Sequence, residues 1–99
     1  MGGVSAHVRM YSRRACGLCD QARAVIESER RRSGFAFEEV RIDGDDELEL
    51  AYGLRIPVVL VDGTEAFELH VDAERLRRLV VPRSGPGRLL RALGTLVRS

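Results

Sequence analysis

Residues 11–19, Tyr11-Ser12-Arg13-Arg14-Ala15-Cys16-Gly17-Leu18-Cys19, join two unlike patterns, and the fold is decided at that join. Upstream, residues 7–11 alternate with Val8 and Met10 on one side, which is the period of a strand. Downstream, from Gly17 to about Arg32, Leu18, Ala22, Val25 and Ile26 recur at helical spacing. Ser33-Gly34 then supplies a helix stop. A short polar connection at 12–15 thus carries a strand into a helix, and two cysteines stand three apart at the helix start. Positions i and i+3 are neighbours on a first turn, so the two sulfurs can reach bonding distance with little backbone movement.

Working outward, residues 35–42 predict a second strand, with Phe35, Phe37, Val40 and Ile42 toward the core. It pairs in parallel with the first, because a helix connects them. Gly44-Asp45-Asp46 leads into a short acidic helix that ends near Tyr52, with Gly53 at its exit. Pro57 opens an apolar run at 58–61, and Asp62-Gly63 turns it back into residues 64–69 as an antiparallel hairpin. Asp72 is placed to cap a helix at 73–80, with Val71 and Leu76 at staple spacing; Arg75 stands where a capping box wants Glu or Gln. The order β-α-β-α-β-β-α predicts an α/β (α+β) domain over 1–81: a four-stranded mixed sheet with helices on both faces. Residues 82–87 hold two prolines and two glycines. Beyond them Leu89, Leu90, Leu93, Leu96 and Val97 share one helical face and Arg88, Arg91 and Arg98 lie off it. Residues 82–99 are therefore expected as a basic amphipathic extension, suited to its own domain, a partner or an anionic surface.

Composition removes several functions. Ninety-nine residues suffice for one core. Sixteen basic against 15 acidic side chains leave a charge of +1, too balanced for general nucleic-acid affinity. Every basic residue apart from the two histidines is Arg, so lysine Schiff-base chemistry and a phosphate-loop lysine are excluded. No run reaches the roughly 18 apolar residues of a membrane span, and residues 1–9 lack the apolar segment of a secretory signal. A cytoplasmic location is expected. In that reducing setting a disulfide is not expected as a structural staple. A four-residue loop would contribute only about 2 kcal/mol against ~3 for fifteen residues.

The cysteines instead predict exchange chemistry. A free thiol near pKa ~8.5 is only about 3% thiolate at neutral pH. Half-ionisation needs roughly 2 kcal/mol, and a helix N-terminus supplies about 0.3–1 kcal/mol. Arg13 and Arg14 are the candidate cations for the remainder, and Asp20 opposes them. Cys16 is the expected nucleophile and Cys19, one turn in, the expected resolving thiol. Two rivals use the same residues: a metal or iron–sulfur carrier, and an interaction module whose cysteines are redox-inactive. Zinc would need His7 and His70 at no recognised spacing.

The same stretch, a strand ending Tyr-Ser, then a basic residue and C-x-x-C, resembles the start of glutaredoxins, members of the thioredoxin-fold superfamily. Tyr52-Gly53-Leu54-Arg55-Ile56-Pro57-Val58-Val59 resembles that family's stretch ending in a cis-proline, and Asp62-Gly63 falls at its last hairpin. Bacterial glutaredoxin-like proteins with Cys-x-Leu-Cys motifs look most similar. The resemblance implies that Pro57 is cis beside the cysteines and that the Ile56 backbone meets an extended peptide or glutathione as an added strand. It implies Arg13 as an anion contact, no bound organic cofactor, and a protein or small disulfide as substrate, with an upstream reductant. Two features depart from the family. Gly17-Leu18 replaces Pro-Tyr between the cysteines, and Phe67-Glu68-Leu69-His70-Val71-Asp72 lacks the Gly-Gly at which glutathione docks. Glutathione as co-substrate would then face Glu68.

Overall fold

The computed structural model describes residues 5–81, and the extension expected at 82–99 lies outside them. Strand β1 (His7–Ser12) runs through the turn at Arg14-Ala15 into helix α1 (Gly17–Ser33). Gly34 closes that helix in the left-handed region at φ 69°, and its N–H reaches the Arg30 carbonyl at 2.8 Å. There follow β2 (Ala36–Arg41), α2 (Asp46–Tyr52), β3 (Val58–Val61), β4 (Thr64–Glu68) and α3 (Ala73–Leu79). Asp45 and Asp72 cap α2 and α3 by accepting from the Leu48 and Glu74 N–H groups. The Asp62-Gly63 turn has positive φ at both residues, 52° and 85°, which is the twist a two-residue hairpin requires.

The sheet order is β2-β1-β3-β4. β2 lies parallel to β1, β3 antiparallel to β1, and β4 antiparallel to β3 with an irregularity at Val59/Leu60. This is the thioredoxin-like arrangement. α1 and α3 cover one face around Val8, Met10, Ile26, Val59, Phe67 and Leu76. α2 covers the other, where Tyr11, Ile42 and Val58 are buried and Leu48, Tyr52 and Ile56 pack against them. β2 is shorter than the alternation suggested. Phe35 and Ile42 flank it and are buried, while Phe37 and Val40 within it are half-buried, as suits an edge strand. Gly53 stands at the exit of α2 as expected, with right-handed backbone at φ −54°. Its requirement is space, because a Cβ there would lie 2.5 Å from the Glu49 carbonyl and 3.3 Å from Arg13 Nη2.

Antiparallel register pairs Tyr11 with Val58, and Val58 with Glu68. The segment leaving β1 toward Cys16, the Ile56–Pro57 dipeptide before β3 and Leu69 after β4 therefore all lie at one end of the sheet. That end is where α/β sheets carry their ligands.

Candidate active site

Cys16 and Cys19 are joined as a disulfide, with Cα atoms 5.2 Å apart, inside the normal range for such bridges. Cys16 is the N-cap of α1 with extended backbone (φ −118°, ψ 110°), and its Sγ accepts the Cys19 N–H at 3.1 Å. A capping oxygen usually takes that donor; here a sulfur does, and charge on that sulfur would be stabilised by the same N–H and by the helix dipole. Cys16 is half-exposed and Cys19 fully buried. Ala15, just before the cap, adopts φ 55°, a conformation that costs an L-residue about 1–2 kcal/mol. The chain accepts that strain to swing Cys16 from the end of a strand onto the end of a helix.

Charge around the pair is fixed by a network anchored in the sheet. Asp20, adjacent to Cys19, is held by Arg23 Nη1 at 2.8 Å. Arg23 then donates through Nε and Nη2 to both oxygens of Glu39, at 2.8 and 2.6 Å. Ser12, fully buried at the end of β1, donates its hydroxyl to the same carboxylate. The Arg23 bonds hold the Glu39 carboxyl below the usual carboxylate range against its desolvation, and Ser12 adds to the effect. Arg23 itself is pushed further up by Glu39 and Asp20. The Asp20 carboxylate, next in sequence to Cys19, is therefore a paired charge.

The Ile56–Pro57 peptide is cis, Pro57 is buried, and its carbonyl accepts the Leu69 N–H at 2.8 Å. Arg13 is drawn to α2: Nη1 bonds Glu49 at 2.7 Å and Nη2 the Gly53 carbonyl at 3.0 Å. Arg14 is exposed, and its backbone N–H is held by the Asp43 carboxylate at 3.0 Å. Neither histidine joins the sulfurs: His7 bonds Glu38 on the α2 face of the sheet, and His70 is exposed after β4. Among the described residues no group of three or more His, Cys, Asp or Glu side chains is arranged to hold a metal ion.

Residues 7–80 match the family described as Glutaredoxin-like domain (DUF836). The chain belongs to this glutaredoxin-like family. A structural-genomics target protein from X. campestris shares 43% identity with it at a TM-score of 0.62, covering 72% of this chain and 91% of that one. A protein from Nitrosomonas europaea superposes with TM-score 0.68 at 24% identity, covering 77% and 92%. An N21Q mutant thioredoxin from Halobacterium salinarum superposes with TM-score 0.55 at 24% identity, over 78% and 73%, and shares the fold. No curated protein sequence matches the chain.

The glutaredoxin-like domain also carries site features that sequence reasoning missed. Leu69 has φ 71° and is 38% exposed, an L-residue held left-handed at the surface at the end of the sheet that carries the cysteines. Between its loop and α1 runs a groove of about 80 Å³ whose lining includes Leu18, Val25, Leu69 and Val71. Leu50 and Leu54, one turn apart at the end of α2, are 91% and 100% exposed. The missing Gly-Gly was the one available signal for Leu69; burial of single leucines has no signature in a lone sequence. No helix among the described residues is long and apolar enough to cross a membrane.

Proposed function

We propose that this glutaredoxin-like chain is a thiol–disulfide oxidoreductase that reduces disulfides through Cys16 and Cys19. The observation that carries the proposal is the half-exposed Cys16 sulfur, held at the N-cap of α1 by the Cys19 N–H and bonded to a buried partner sulfur. In the reduced protein the Cys16 thiolate attacks one sulfur of a substrate disulfide. A Cys16–substrate bond forms, and the other substrate sulfur leaves as a thiol after taking a proton. Cys19 then loses its proton and attacks the Cys16 sulfur. The intramolecular disulfide seen here forms, and the second substrate thiol is released. Two electrons pass from the protein to the substrate, and an external thiol reductant must return them.

Ile56 and Pro57 serve as the substrate shelf. Neither backbone polar group of Ile56 has a hydrogen-bond partner among the described residues, which suits a main chain added in β fashion. Arg13 acts by fastening α2 to the loop before Cys16. A cytoplasmic setting supplies the reducing poise this direction needs.

Cys19→Ser, treated with a disulfide substrate, is expected to accumulate a mixed disulfide on Cys16, read by mass spectrometry. Cys16→Ser is expected to lose exchange altogether. Alkylation of the reduced protein across pH should find Cys16 reactive well below the pH at which Cys19 reacts. Equal reactivity of the two thiols would overturn the assignment.

A further inference from the structure

We propose that the groove between α1 and residues 69–71 is a side-chain subsite, which takes an aliphatic residue next to the cysteine of a peptide or protein disulfide. The inference rests on the thiol–disulfide function proposed above and names its substrate class.

The groove adjoins the reacting sulfur through the chain itself. Leu18, on its wall, stands between the two cysteines, and Gln21 and Val25 continue that wall along α1. Leu69, His70 and Val71 form the opposite side. In a mixed disulfide the substrate Cα lies about 5–6 Å from the Cys16 Cα, and its neighbouring Cα only 3.8 Å further. The residue flanking the substrate cysteine is thus held within about 10 Å of the Cys16 Cα, and Leu18, two residues from Cys16, lines the groove. At about 80 Å³ the space is below the roughly 150 Å³ that accommodates a benzene ring, so an aliphatic side chain suits it better than an aromatic one.

Charge points the same way. No guanidinium among the described residues lines the groove. Of the cations before and after the cysteines, Arg13 is engaged by Glu49 and Arg55 by Glu65 and Glu68, and the exposed Arg14 is not part of the groove lining. Among the described residues the groove's one basic lining side chain is His70, set against the two carboxylates of a small anionic thiol such as glutathione. Leu69 is the sharpest sign: the backbone is left-handed, where glycine fits without strain, yet the residue is a leucine whose side chain walls the groove.

The test uses the reduced full chain and short peptides whose single cysteine is disulfide-bonded to 5-thio-2-nitrobenzoate. Attack on the peptide sulfur releases that chromophore. Two series place Leu, Ala or Asp directly before or directly after the cysteine. The Leu peptide of at least one series is expected to react roughly tenfold faster than its Asp counterpart, the scale of one methylene in an apolar pocket. In Val25→Glu that ratio is expected to fall to one or invert. Leu69→Gly, which removes a wall while easing the backbone, gives a second measure should the charged variant fail to fold. The ratio is taken within one protein, so a general loss of exchange does not move it. Equal Leu and Asp rates in both series, a ratio unmoved in both variants, or faster attack on the glutathione adduct than on the Leu peptides would each overturn the subsite. Release from no peptide, and no reduction of bis(2-hydroxyethyl) disulfide, would overturn the oxidoreductase function, and the subsite with it.

Discussion

The two faces of the sheet are built from different materials. Against α1 and α3 the contacts are apolar and complete: Val8, Met10, Ile26, Val59 and Leu76 are fully buried. The α1–α3 seam is clasped by Arg77, which donates to both oxygens of Glu29 at 3.0 and 2.8 Å. Against α2 only Tyr11, Ile42 and Val58 are buried, and α2 itself buries no residue. That helix is held by the stack of Tyr11 on Tyr52, with centroids 4.2 Å apart, and by polar ties such as Arg13–Glu49. Hydrophobic burial scales with area, whereas half-exposed ion pairs contribute little. Stability therefore sits on the α1/α3 face, and the α2 face is the one free to adjust beside the site.

The largest expected effect breaks the strong face. Ile26→Ala or Leu76→Ala should cost about 2–5 kcal/mol in urea unfolding. The matching change on the weak face, Leu48→Ala at a half-buried position, should cost about 1 kcal/mol. Equal losses would erase the asymmetry. Gly53→Ala should come next, because its Cβ must displace the Glu49 carbonyl or Arg13. Hydrogen exchange should then show α2 amides opening more readily while those of α1 keep their protection. Arg13→Gln, which removes a half-exposed ion pair and one hydrogen bond to the Gly53 carbonyl, should cost no more than ~1 kcal/mol.

The smallest effect is read with pH. Arg77 hydrogen bonds hold Glu29 below its usual range, as Arg23 holds Glu39. A carboxyl depressed in the folded state contributes stability above its unfolded pKa of about 4.3 and loses it as pH falls through the lower folded value. Stability should be flat from pH 7 to about 5 and decline below about 4. Glu39→Gln should shallow that decline, and an unchanged slope would remove this carboxyl from the account.

Local chemistry made much of the fold readable. Gly34, Asp62-Gly63, Asp45 and Asp72 each act through their own backbone or its immediate neighbours, so their roles are visible in a single sequence. The cysteine pair was readable for the same reason: its geometry is one helical turn. What escaped was set by distant partners. Arg13 looked like a cation for Cys16, but Glu49 and Gly53 meet it from 36 and 40 residues away. Asp20 looked like a liability until β2 brought Glu39 to Arg23. Ala15 and Leu69 adopt a conformation their residue types ordinarily avoid, so no propensity argument reaches them.

The absence of lysine has a further consequence. Every permanent cation in the described ion pairs is a guanidinium, which stays protonated far beyond pH 10. The carboxylates opposite are ionised there too, and burial pushes the Tyr52 phenol up, with neighbouring Tyr11 adding to it. Alkali thus finds few protons to remove from the scaffold. Between neutral pH and about pH 10 the fold is therefore expected to keep the charges of its ion pairs, so alkali should loosen it little.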